Sequence, residues 1–119
     1  METPKVFESE YRFMQILWDN EPINSTQLVA LCKDGLGWSK ATTYTVIRRL
    51  SERGVVVNEN TIVKSLVSRE EVQCAEIDEL VERTFGGSLP QFIAAFSKRK
   101  KLGDAEIEAL QKMIDDYKG

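Results

Sequence analysis

The sequence predicts a mainly α protein: a winged helix-turn-helix domain of three helices and a β-hairpin wing, followed by a C-terminal helical region. Three observations carry that expectation. Apolar residues recur at helical spacing in six segments bounded by capping residues, glycine or proline. Two β-branched runs around an Asn-rich turn follow the third segment and read as a hairpin. The order of these elements is more specific than any one of them.

The first helix runs from about Ser9 to Asn20, with Phe7, Tyr11, Met14, Leu17 and Trp18 on the helical period and Glu21-Pro22 at its end. Ile23 is a candidate for a short strand. Asn24 or Ser25 caps a second helix whose Leu28, Leu31 and Cys32 face inward, closed by Asp34-Gly35. The third segment is the most informative. Ser39 is its N-cap, Gly54 its C′ residue, and Thr43, Val46, Ile47 and Leu50 fall at i, i+3, i+4 and i+7 on the buried side. At about 100° per residue, the opposite side presents Ala41, Thr45, Arg48 and Glu52, flanked by Thr42, Tyr44 and Arg49. Hydroxyls and guanidinium forks opposite an apolar face suit a helix lying in the major groove of DNA.

Val55–Val57 and Ile62–Val67, joined by Asn58-Glu59-Asn60-Thr61, form the hairpin. Ser68-Arg69-Glu70-Glu71 is a capping box that opens a fourth helix to about Phe85, with Val72, Ile77, Leu80, Val81 and Phe85 as its apolar positions. Gly86-Gly87-Ser88 breaks it. A fifth helix from about Leu89 carries Phe92, Ile93 and Phe96. After the basic run Lys98 to Lys101, read as a solvated loop, Asp104 caps a last helix with Ile107, Leu110, Ile114 and Tyr117 on one stripe. Three short amphipathic helices in about 50 residues cannot bury these faces alone. Exposed stripes of that size mark an interface. The expected division is 1–67 as the DNA-binding domain and 68–119 as a dimerisation domain, with Leu80, Phe85, Phe92, Phe96, Ile107, Leu110 and Ile114 at the interface.

Composition excludes several chemistries. The 119 residues contain no histidine and two cysteines, Cys32 and Cys74. A Ser-His-Asp or Cys-His nucleophile, a histidine metal ligand and a disulfide framework are therefore out of reach. Glycine-rich phosphate loops are missing too, so no catalytic residue, cofactor or metal is expected and the chain is read as a non-enzyme. No run approaches the roughly 18 apolar residues of a membrane span, and no signal-peptide pattern is present. A cytoplasmic protein with reduced thiols is the expectation. The net charge of −3 argues against nucleic acid, but its distribution softens that objection. Residues 1–67 carry eight basic and eight acidic groups, with Lys40, Arg48, Arg49 and Arg53 gathered on one segment. Local field, not total charge, attracts a phosphate backbone. Four cations make a modest footprint, which favours two copies on one duplex. Trp18 and Trp38 are read as core anchors, Cys32 as a small core hydrophobe and Cys74 as an inert thiol.

These residues resemble the penicillinase-repressor family of bacterial transcriptional regulators over nearly the whole chain. The resemblance rests on Glu10 through Trp18, Trp38 through Gly54, Leu66 through Glu71, Phe85-Gly86-Gly87-Ser88 and Leu102 through Leu110. It implies a homodimeric winged-helix repressor that binds inverted-repeat operators in double-stranded DNA. Family contacts from the third helix map to Lys40, Thr42, Tyr44, Thr45, Arg48 and Arg49; Thr42, Thr45 and Arg49 match the family pattern, and Tyr44 replaces a position that is often basic. Three departures stand out. The Asn58–Thr61 wing is short and acidic where the family has a basic tip and an aromatic strand. Ala95-Phe96 occupies the place of the Asn-Phe bond whose cleavage releases DNA in β-lactam-responsive members, which argues against control by that cut. The cysteine-rich C-terminal motif of copper-responsive members is missing. A regulatory protease or sensor partner is left unnamed by the resemblance. The rival expectation is a winged-helix protein-interaction module that has lost DNA binding, favoured by the acidic wing and the neutral domain charge.

Overall fold

The structure is a computed structural model that describes residues 3–99 and 101–118. The element order is α1 (Glu8–Asn20), β1 (Ile23–Asn24), α2 (Ser25–Leu36), α3 (Lys40–Glu52), β2 (Val56–Glu59), β3 (Ile62–Ser65), α4 (Arg69–Phe85), α5 (Leu89–Arg99) and α6 (Asp104–Lys118). The expected winged helix-turn-helix followed by C-terminal helices is the observed fold.

Two compact units divide within α4, residues 1–77 and 78–119. The expected boundary lay at Val67. The first turns of α4 pack onto the winged helix and so fall in the first compact unit. Val72 lies in its core, Arg69 pairs with Asp19, and Gln73 donates to the Tyr11 hydroxyl.

Local chemistry explains where the helices of the first unit start and stop. The Glu10 carboxylate accepts the Phe7 N–H at 2.9 Å, closing the first turn of α1. Asn24, not Ser25, caps α2, its side-chain oxygen accepting from the Thr26 N–H at 2.8 Å. That helix runs past the expected stop at Asp34-Gly35. Gly35 stays helical, and Gly37, at φ +69°, takes the left-handed conformation that ends it. Ser39 caps α3 by accepting from the Thr42 N–H at 3.1 Å. At the other end Val55 N–H donates to Leu50 O (2.9 Å) and Gly54 N–H to Ser51 O (3.1 Å), with Gly54 at φ +80°. This paired closure keeps the C-terminal carbonyls satisfied while Leu50 and Val55 are both sealed in the core. Ser39→Ala should cost about 1 kcal/mol of stability, read as a lower urea midpoint at unchanged slope.

Ile23 does form a strand, and the sheet has three antiparallel strands in the order β1-β3-β2. Ile23 pairs with Val63, Val56 with Ser65 and Glu59 with Ile62. The wing turn is tighter than the expected four residues. Asn60 and Thr61 alone make it, both at positive φ, as a two-residue hairpin requires.

The core of this unit gathers Phe13, Met14, Leu17, Leu28, Cys32, Thr43, Leu50, Val55, Val56 and Val63, none more than 1% exposed. Trp38 stacks on Phe13 with ring centroids 6.1 Å apart. Trp18 packs edge-on against Tyr11 and donates its indole N–H to Val67 O at 3.0 Å. Both tryptophans therefore anchor structure, as expected. Cys32 is fully buried and Cys74 exposed. Burial pushes the Cys32 thiol up to about 11, partly offset by its hydrogen bond with Thr43. Alkylation at pH 8 should consume one thiol in the native protein and two after unfolding, by mass spectrometry.

α4 opens on a capping box in which Ser68 and Glu71 exchange hydrogen bonds at 3.0 and 3.1 Å, and it continues to Phe85 in the second unit. Ser88 accepts from Gln91 N–H at the start of α5. Asp104 is the first residue of α6 and not its cap; Glu106 instead accepts the Gly103 N–H. Lys98 and Arg99 complete α5 and are not part of a loop, while Lys100 lies outside the described residues.

Candidate nucleic-acid interface

The site is built on α3, whose orientation is fixed by what it buries. Thr43, Ile47 and Leu50 are sealed in the core, and Val46 is half-buried beside them. Thr43 tolerates full burial because its hydroxyl donates to Ser39 O at 3.1 Å. With that stripe inward, Lys40, Ala41, Thr42, Arg48, Arg49 and Glu52 are exposed and Thr45 is partly so. Arg48 and Arg49 stand about 100° apart around the helix and straddle Thr45.

The charges on this face are available. The ion pairs among the described residues are Arg53–Glu10, Arg69–Asp19, Arg83–Glu79 and Lys112–Asp116. Lys40, Arg48 and Arg49 belong to none of them. Two guanidinium forks and an ammonium thus face solvent, with Lys40 alone at the N-terminal end of the helix, a surface suited to phosphate oxygens.

The structure separates two predicted contact residues from this face. Arg53 sits at the C-cap of α3, half-buried, with its guanidinium paired to Glu10 and lying 5.1 Å from the centroid of the Phe7 ring. Glu10 itself is only 7% exposed. A carboxylate withdrawn from water needs its partner, so Arg53 is committed to the fold. Arg53→Ala should lower the melting temperature by about 5–15 °C, from roughly 1–2 kcal/mol for a pair with one exposed member.

Tyr44 is the second. Its ring packs against the core and its hydroxyl donates to Ser25 Oγ at 3.2 Å. The helical wheel placed it beside the reading face; the contact turns it toward the start of α2. Thr42 is partly occupied as well, its hydroxyl receiving one hydrogen bond from Ser39 at 3.0 Å.

The wing brings little positive charge. Asn58, Glu59, Asn60, Thr61 and Lys64 are exposed, and the turn is tied back to α2. Thr61 O accepts the Ser25 N–H at 2.7 Å, and Asn24 Nδ2 reaches Thr61 Oγ1 at 3.3 Å. Neither tie was legible in the sequence, where Asn24 and Ser25 signalled only a cap.

In the second unit the predicted interface residues are left open. Leu80, Phe96, Ile107, Leu110 and Ile114 are between 37% and 52% exposed. Phe85 and Phe92 are half-buried against each other, ring centroids 5.6 Å apart. Among the described residues there is no cluster of three or more candidate metal ligands, and no helix is long and apolar enough to cross a membrane.

A family model described as Penicillinase repressor matches residues 7–116. The penicillinase repressor of Bacillus licheniformis is 21% identical over 119 residues, covering 97% of this chain and 93% of that protein. The match runs through both the winged helix and the helices that follow it, and by it the chain belongs to the penicillinase repressor family.

Proposed function

We propose that this chain is a homodimeric transcriptional repressor that binds an inverted-repeat operator through α3. The observation that carries the reading is the solvent-facing side of that helix. Lys40, Arg48 and Arg49 stand there without ion-pair partners among the described residues, on a helix locked by its buried stripe. Lys40 and Arg49 neutralise phosphates, and Thr42, Thr45 and Arg48 meet base edges in the major groove. Exposed Leu80, Phe96, Ile107, Leu110 and Ile114, with half-buried Phe85 and Phe92, supply the apolar surface for pairing. A two-fold dimer sets two copies of α3 about one helical turn apart on one duplex. Membership of a family of regulators supports this over any enzymatic reading.

A second reading has one observation in its favour. The wing is short, carries Glu59, and is fastened to α2, so it adds little to a phosphate footprint. An interaction module that no longer binds DNA fits that feature. Fluorescence anisotropy on an inverted-repeat duplex and a scrambled control, across a salt series, separates the two. A repressor gives tighter binding to the repeat and a steep log–log salt slope. If no duplex selected from genomic fragments binds with a salt-sensitive affinity, the repressor reading falls.

A further inference from the structure

We infer that Tyr44 is a positioning residue, not a base reader: through Ser25 it holds the wing turn at a fixed place relative to the reading helix. The inference rests on the repressor reading above. It starts from one residue with two bonds in different directions. Ser25, the first residue of α2, is 3% exposed. Its side-chain oxygen accepts from the Tyr44 hydroxyl on α3 at 3.2 Å, and its backbone N–H donates to Thr61 O in the wing turn at 2.7 Å.

Neighbouring bonds make this junction stiff. Asn24 caps α2 with its side-chain oxygen while its amide nitrogen reaches Thr61 Oγ1. The same two residues border the β1–β3 pairing, in which Asn24 lies opposite Ile62. The Tyr44 ring is packed on the core, so its hydroxyl has little freedom to leave Ser25. A buried serine oxygen that loses its donor has no water to replace it. Helix and wing are thus presented to a duplex as one preformed surface, which lowers the ordering cost of binding.

The test uses Tyr44→Phe, which keeps the ring and removes the hydroxyl, beside Ser25→Ala and the double variant, all in the full chain. Hydrogen exchange without DNA should show the Ser25 amide exchanging several-fold faster in Tyr44→Phe. Operator affinity should fall about three- to tenfold in each single variant, and no further in the double, because the two changes break one link. A panel of single-base operator changes should keep its wild-type profile in Tyr44→Phe, since no base contact has been lost.

Unchanged Ser25 exchange, penalties that multiply in the double variant, or relaxation of one operator position alone would each overturn the inference. If the wild-type chain has no affinity for any duplex, the repressor reading fails instead. The exchange result then still decides whether Tyr44 holds the wing.

Discussion

Arg49→Ala should lower operator affinity by about a hundred- to ten-thousandfold and weaken binding to unrelated duplexes alike. A guanidinium on phosphate forms charge-assisted hydrogen bonds worth about 1.5–3 kcal/mol, and a dimer loses two of them. Each neutralised phosphate also releases condensed counterions, contributing about 0.9 to the log–log salt slope. The slope should therefore flatten by roughly two for the dimer. Arg49→Lys should retain most of the slope while losing the fork geometry. Arg48→Ala should behave differently, relaxing one base pair in each half-site at about 1–3 kcal/mol. Anisotropy titrations at four or more salt concentrations resolve both quantities, and an unchanged slope in Arg49→Ala would remove that residue from the phosphate contacts.

Phe13→Ala should destabilise the winged helix by about 3–5 kcal/mol, a large share of the 5–15 kcal/mol that holds an ordinary domain together. Phe13 is fully buried and stacked on Trp38, so truncation removes transfer energy, leaves a cavity and strips the indole of its partner. The melting temperature of this unit should drop by roughly 15–30 °C, with a change in tryptophan emission as Trp38 gains water. Phe13→Leu, which fills most of the space, should lose markedly less. A drop of only a few degrees in the alanine variant would mean the core closes around the gap.

Most of the element order was legible because periodicity and capping are local. Ser39, Gly54, Ser68 and Glu71 act where spacing alone placed them. What the sequence hid was tertiary. The expected apolar face of α1 included Phe7 and omitted Phe13, yet Phe7 is 53% exposed beneath a guanidinium and Phe13 is sealed. Both satisfy a helical period, and only the partners on α2 and α3 decide between them. Nothing local marks Glu10 as buried; its partner Arg53 lies 43 positions later. The same holds for the site. Lys40, Arg48 and Arg49 could be placed by rotation about one helix axis, whereas Arg53 and Tyr44 were redirected by residues on other elements. A side chain's angular position is written locally; its partner is not.

The seating of α3 by Thr43, Ile47 and Leu50 has an evolutionary corollary. Ala41, Thr42, Thr45, Arg48, Arg49 and Glu52 are all outside the sealed core, so the chemistry of this face can drift by point changes at nearly constant stability. Length cannot drift in the same way. One residue inserted between Thr43 and Leu50 would turn the following side chains by about 100°, rolling an arginine toward the interior and a leucine out of it. Within this segment, the exposed face can change by substitution, while insertions and deletions are closed off by the buried stripe that seats the helix.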